Sequence, residues 1–198
     1  MNTLRKRICS LVIAACLICM SVVPAMADST VTTAGTDTVS ASEVRTEAKA
    51  TARFLMDNTD FTDISNTSTF YNASRNLILS VRSGYDCSVQ ADAYLKSVDA
   101  LLNADGTLNL ENASSFANDI YSNYAYLLLT LAVLDKDAAD YNGINVVAAF
   151  DNIIANATSD ELTNNLNPYL LGAYYAAIAS YKDSLTNACL LYTSPSPR

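Results

Sequence analysis

The stretch "YAYLLLTLAVLDKDAADYNGINVVAAFDNI", residues 124–153, joins two apolar runs through an acidic break. The first run has only Thr130 as a conventional polar residue, which predicts a helix buried on every side. The second run carries an apolar stripe and a polar face, as expected of a helix in an outer layer. The break either contains a catalytic or metal-binding carboxylate cluster or only shapes the joint between two helices. Its three acidic residues are Asp135, Asp137 and Asp140.

Other parts of the chain show the same helical periodicity. Ser40 and Glu43 form the S-x-x-E pattern of a helix start. Gly84 and Gly106 each follow an apolar stripe, where glycine commonly ends a helix. The predicted helices cover residues 41–57, 69–82, 91–105, 114–134, 144–156 and 168–183.

The apolar helices repeat along the chain. Alignment of their leucine-rich runs places Leu77 on Leu127, a period of 50, and a second alignment places Lys136 on Lys182, a period of 46. Such spacing is typical of one helix–turn–helix unit per repeat. The sequence therefore predicts an all-α fold of helical-hairpin repeats, with apolar helices inside and amphipathic helices outside. A plain helical bundle, in which one buried helix is enough, is the alternative.

The first residues predict export. A basic "RKR" precedes the apolar run "ICSLVIAACLICMSVV", and "PAMA" then offers small residues for cleavage. This pattern predicts a signal peptide over residues 1–27 and a secreted or cell-surface protein. "IAAC", ending at Cys16, leaves lipoprotein processing as an alternative. The polar segment 28–39 predicts a disordered linker.

The last residues differ in style from all that precede them. "CLLYTSPSPR" holds two of the four prolines and corresponds to the translation of a transposon-type sequencing adapter. We therefore expect residues 188–198 to be a sequencing artefact. On that interpretation the chain is the N-terminal fragment of a longer protein.

Composition excludes several classes of function. Without the signal and its three basic residues, nine basic and 20 acidic residues remain, a net charge of −11. This balance argues against nucleic acid and anionic membranes as partners. The sequence has no histidine, and Cys87 is the one cysteine outside the signal and the tail. No cofactor, zinc site or disulfide framework is therefore predicted.

The segment from about residue 68 to residue 183 resembles the αα-toroid superfamily of terpenoid cyclases and protein prenyltransferases. It is most similar to secreted bacterial proteins with prenyltransferase-like or squalene-cyclase-like repeats. The stretch "GYDCSVQADAYLKSVDALL" resembles the other unit of the repeat in these proteins. The resemblance implies that residues 40–187 form about half of an αα-toroid, or α/α barrel. The residues that match the turn, the outer-helix start and the inner-helix entry are Lys136, Asp137, Gly143, Asn145 and Asn167.

The catalytic motifs of that superfamily are not found in these residues. Protonating cyclases use an Asp-x-Asp-Asp motif, whereas "DKDAAD" has no acid adjacent to Asp137. Prenyltransferases bind zinc through Asp, Cys and His, and histidine is absent. Asp135, Asp137 and Asp140 lack the regular alternation and closing Glu of a calcium loop. We expect them to have a structural role in the joint.

Three functions remain open from the sequence. One is a non-catalytic secreted or surface binding module for a small molecule, a polymer or a protein, with cobalamin-type ligands possible by analogy. The others are a cyclase or transferase whose catalytic residues lie further along, and a structural repeat of an adhesion protein. Tyrosines on the apolar helices are either core residues or a ligand surface in the ring lumen. The candidates are Tyr121, Tyr124, Tyr126, Tyr174 and Tyr175.

Overall fold

The computed structural model describes residues 31–32, 38–113, 120–158 and 171–181. Its six helices there are α1 (Ala41–Asp57), α2 (Thr67–Arg82), α3 (Ser88–Leu101), α4 (Ile120–Val133), α5 (Val146–Asn156) and α6 (Leu171–Ser180). Two short strands, β1 (Val31–Thr32) and β2 (Thr38–Val39), pair antiparallel inside the segment predicted as a linker. The prediction of a mainly helical, all-α fold is confirmed. The predicted signal peptide and residues 188–198 lie outside the described residues.

Side-chain caps fix where the first two helices begin. Ser40 and Glu43 form the predicted capping box, with Ser40 N donating to Glu43 Oε2 at 2.8 Å and Glu43 N donating to Ser40 Oγ at 3.2 Å. Asn66 caps α2, because its Oδ1 accepts from the backbone N–H groups of Ser68 and Thr69, each at 3.0 Å. This cap starts α2 two residues earlier than the apolar periodicity predicted.

The inner helices α2 and α4 end in the same way. Gly84 (φ +74°) and Asp135 (φ +53°) both adopt the left-handed conformation just after the helix. In each case the N–H of the following residue donates to the carbonyl five positions earlier in the chain. Tyr85 N donates to the Ser80 carbonyl, and Lys136 N donates to the Leu131 carbonyl. The equivalent residues are therefore 51 apart, one more than the predicted period of 50. A run of leucines permits such a slip because neighbouring leucines look alike in sequence.

The helices form an inner row and an outer layer. Helix α2 packs against α1 and α4, and α4 packs against α6. Helix α3 contacts α2, and α5 contacts α4. Leu127, Leu128 and Leu131 of α4 are fully buried, as predicted for an apolar helix with neighbours on all sides. No described helix is both long and apolar enough to cross a membrane.

One glycine has a different role from the one predicted. Helix α3 ends at Leu101, and Gly106 (φ +82°) lies in the tight loop that follows rather than at the helix end. There its carbonyl accepts a hydrogen bond from Tyr124 Oη at 2.7 Å. A Cβ on Gly106 would lie 2.6 Å from Ala149 Cβ on α5. The loop therefore fits closely between α4 and α5 because this residue has no side chain.

Candidate functional site

Three of the candidate tyrosines are buried in the core, and two of these, Tyr124 and Tyr174, form contacts that connect helices. The ring of Tyr124 stacks on Phe150 with centroids 5.7 Å apart, and burial raises the pKa of Tyr124 to about 12. Tyr174 Oη and Ser122 Oγ are 2.9 Å apart and join α6 to α4 by a buried hydrogen bond. Both rings are 1 % exposed. In this arrangement they serve packing and connect neighbouring helices.

The other candidates differ in their exposure. Tyr121 is buried, whereas Tyr126 is partly exposed and packs edge-on against Tyr71 with centroids 4.9 Å apart. Burial, followed by the neighbouring Tyr71, raises the pKa of Tyr126 above its ordinary value. The side chain of Tyr175 lies outside those that the structure describes. A ligand-binding role for the tyrosines stays a prediction, and Tyr126 is the one whose described ring is accessible.

The first half of the acidic joint forms hydrogen-bonded turns. Asp135 occupies the left-handed position that ends α4, and Asp137 Oδ1 accepts from Ala139 N at 2.8 Å. Ala138 is fully buried, and its carbonyl accepts from Val146 N at 2.9 Å. Asp135, Asp137 and Asp140 are all exposed. Asp135 and Asp137 therefore have local structural roles, which short polar side chains commonly fill in turns.

The second half of the joint is a two-residue hairpin turn. Asn142 and Gly143 both have positive φ, as a type I′ turn requires, and Tyr141 and Ile144 exchange two backbone hydrogen bonds of 2.9 Å. This turn is tied to α3 through Asp99. Its Oδ1 accepts from Tyr141 Oη at 2.7 Å and from Asn142 Nδ2 at 2.9 Å. The carboxylate that contacts the joint thus comes from a different helix, a contact that no local sequence pattern indicated.

The aspartates of the joint do not converge on one point. Throughout the described residues, no group of three or more acidic, cysteine or histidine side chains is placed to hold a metal ion. Cys87 is buried, and burial, followed by the neighbouring Asp86, raises the pKa of its thiol. A raised thiol pKa lowers the fraction of reactive thiolate at neutral pH.

A groove on the outer surface of α3 is a candidate site that the sequence did not indicate. It lies between α3 and the segment 62–65 and has a volume of about 510 Å³. That volume is within the range of small-molecule sites. The groove is lined by Thr62, Asp63, Ile64, Ser65, Ala93, Lys96, Ser97, Ala100 and Leu101.

Local hydrogen bonds determine the shape of the groove. Ser97 Oγ lies 3.0 Å from the Phe61 carbonyl and 3.1 Å from the Thr62 carbonyl, which fixes the segment against α3. Asp63 Oδ1 accepts from Ser65 Oγ at 2.7 Å and shapes the turn beside it. Small side chains on α3, Ala93 and Ala100, leave the space unfilled. The sequence feature that could have indicated these turns is the tandem Asp-x-Thr and Asp-x-Ser in "DFTDIS". In each turn the aspartate accepts a hydrogen bond from the hydroxyl two residues later.

Two opposite charges flank the apolar floor of the groove. Lys96 is exposed on α3, and Asp63 is exposed on the facing segment. Lys96 forms no ion pair with a described carboxylate. Ile64, 1 % exposed, anchors the floor to the core. The groove can therefore accept an apolar group while its rim presents one free ammonium.

Comparisons with family models, with curated proteins and with solved structures find no match to this chain. The resemblance to the αα-toroid superfamily stays a prediction.

Proposed function

We propose that this chain is an exported, non-catalytic binding module built from αα-hairpin repeats, and that it holds a small ligand in the groove on α3. The inner row of α2, α4 and α6, with α3 and α5 outside, supports a repeat architecture that could continue into an αα-toroid. The observation that carries the binding function is the groove of about 510 Å³.

The chemistry of the groove selects the ligand class. Its floor is formed by Ile64, Leu101 and the alanines of α3, so an apolar body gains affinity by leaving water. The exposed Lys96 can bind one anionic or hydrogen-bond-accepting group at the rim. The ligand is therefore small and largely apolar, with one polar head group.

Binding without chemistry is supported by how the acidic and phenolic groups are used. Asp135 and Asp137 serve the turns of the joint, and Asp99 accepts two hydrogen bonds from it. Tyr124 and Tyr174 form buried hydrogen bonds. None of these groups lines the groove, and its two charged lining residues, Asp63 and Lys96, are both exposed at the rim.

The test uses the full chain without its signal peptide and the dye 1-anilinonaphthalene-8-sulfonate, which joins an apolar body to one anionic group. We expect saturable binding of one dye per chain. Ala93→Trp should fill the groove and weaken binding at least tenfold. Lys96→Gln should weaken it by a few-fold because one charge pair is lost.

The matched control is Ala50→Trp, which adds the same ring to an exposed position of α1 outside the groove. It should bind the dye as the parent chain does. Thermal melts establish that each variant is folded. Equal dye binding by Ala93→Trp and the parent would show that the groove is not the binding site.

A further inference from the structure

Charge is segregated between the two layers of helices. The inner helices α2, α4 and α6 contain no Asp or Glu, although the whole chain has 20 acidic residues. Their only charged residues are Arg75 and Arg82, both on α2. Among the described residues, the carboxylates lie on α1, on the outer helices and on the connections. An acidic protein therefore has one helix row on which all charge is positive.

The two arginines lie on one strip of α2, on which Arg82 is exposed and Arg75 is half-buried. Asn72, Arg75, Leu79 and Arg82 follow at helical spacing, and Leu79 is 54 % exposed. Arg75 and Arg82 are seven residues apart, which corresponds to about 10 Å along the helix. The strip thus presents a cation, an exposed apolar side chain and a second cation in a line.

The surroundings orient Arg75 without neutralising it. Its guanidinium lies over the ring of Tyr71, 5.4 Å from the centroid, and its Nη2 donates to Asn76 Oδ1 at 3.3 Å. The partly exposed Tyr126 packs against the same Tyr71 ring. Neither Arg75 nor Arg82 forms an ion pair with a described carboxylate. Arg75 is therefore a partly pre-positioned cation that keeps donors for another anion.

Helix stability explains only part of this strip. Arg82 lies in the last turn of α2, where a cation is favoured by the helix dipole. Arg75 is in the middle of the helix, where that benefit is absent. Leu79 gains little by burial at its observed exposure. Two cations that form no ion pair with a described carboxylate, beside an exposed leucine, leave room for a ligand that pairs with both.

We propose that the strip Arg75–Leu79–Arg82 binds a linear dianion with an apolar middle, of the α,ω-dicarboxylate class. One carboxylate pairs with each guanidinium, and the chain between them covers Leu79. The site lies on α2, separate from the groove on α3, and does not depend on the proposed function of that groove.

The experiment is a titration of the full chain without its signal peptide, followed by NMR of the arginine Nε–H groups. Sebacate is the probe because its carboxylates stand at the two ends of an extended ten-carbon chain. Decanoate lacks the second charge and 1,10-decanediol lacks both. Affinity is measured from the shifts of the two arginine Nε–H signals, so that binding of either probe in the groove on α3 does not count. Measured in this way, we expect sebacate to bind at least fivefold more tightly than decanoate and to shift the signals of both arginines.

Variants decide which residues bind the probe. Arg75→Gln and Arg82→Gln should each reduce sebacate affinity to that of decanoate for the parent. Arg53→Gln removes an arginine that pairs with Asp57 on α1 and should leave the affinity unchanged. Loss of sebacate binding in Ala93→Trp but not in Arg75→Gln would assign the probe to the groove. That result, or equal affinities for sebacate and decanoate, would overturn the proposal.

Discussion

The inner helix row and the acidic joint between α4 and α5 are opposite in composition and in what their residues do. Helix α4 has no charge, is buried along most of its length and contacts two inner neighbours and α5. The aspartates of the joint are exposed, whereas Ala138 and Tyr141 are buried. Hydrogen bonds within its turns and to Asp99 of α3 determine its shape. The difference teaches that a high density of acidic residues does not mark the site here. The described hydrogen bonds of the joint shape its turns and connect it to α3.

The largest expected effect is on the inner row. Leu128→Asp places a carboxylate in a side-chain position that is 0 % exposed. We expect it to destabilise the fold by about 4 kcal/mol or more, because no basic partner is available to a buried charge. Leu79→Asp is the matched control on an exposed position and should cost about 0.5 kcal/mol or less. Urea unfolding of both variants measures the difference, and similar midpoints would contradict the assigned burial.

A smaller effect is expected in the loop between α3 and α4. Gly106→Ala combines a left-handed backbone with a Cβ 2.6 Å from Ala149 Cβ, so we expect a loss of about 3 kcal/mol. Gly143→Ala has the same backbone conformation, with nothing within 4 Å of the added Cβ. It should cost only about 1 kcal/mol. Thermal melts compare the two, and equal losses would mean that Gly106 does not pack closely against α5.

A buried hydrogen bond between α2 and α3 predicts a pH effect: Ser74 Oγ and Tyr94 Oη lie 2.7 Å apart. Burial raises the pKa of Tyr94 from 10.0 to about 12, and hydrogen bonds with Ser74 and Thr130 oppose the rise. The folded state thus keeps a proton that the unfolded state releases, so stability is full below pH 10 and falls as pH rises through 12. Tyr94→Phe should cost about 1 kcal/mol at pH 7. Its stability should fall less steeply than that of the parent between pH 10 and 12 in denaturant titrations. An unchanged slope would contradict the assigned burial of the hydroxyl.

Much of the fold was accessible from sequence because it depends on local chemistry. Helix α1 begins at the predicted capping box, and Gly84 follows the end of α2 as predicted, with a left-handed backbone. Gly106 was misassigned because its role depends on Ala149 and Tyr124, both distant in sequence. The repeat offset differed by one residue because neighbouring leucines gave the alignment no fixed point.

The candidate site was less predictable for a physical reason. A groove is space left between elements, and it depends on how segment 62–65 meets α3 through the Ser97 hydroxyl. The hydrophobic periodicity of the sequence does not predict how this segment packs against α3. Asp99 likewise acquires its role only when the joint returns to α3. The sequence indicated correctly that the chain has a polar joint at Asp135. It did not indicate which polar residues line a groove, because that depends on tertiary packing.

The most direct test of the account is the free energy of unfolding of a triple variant, Asp135→Asn, Asp137→Asn and Asp140→Asn, measured with and without calcium. Asn also tolerates the left-handed backbone and can accept the turn hydrogen bond, so we expect a change of less than about 1 kcal/mol. Calcium should have the same small effect on the parent and the variant. A parent chain that calcium stabilises strongly, beside a folded variant that calcium leaves unchanged, would make the joint a metal site and contradict its structural role.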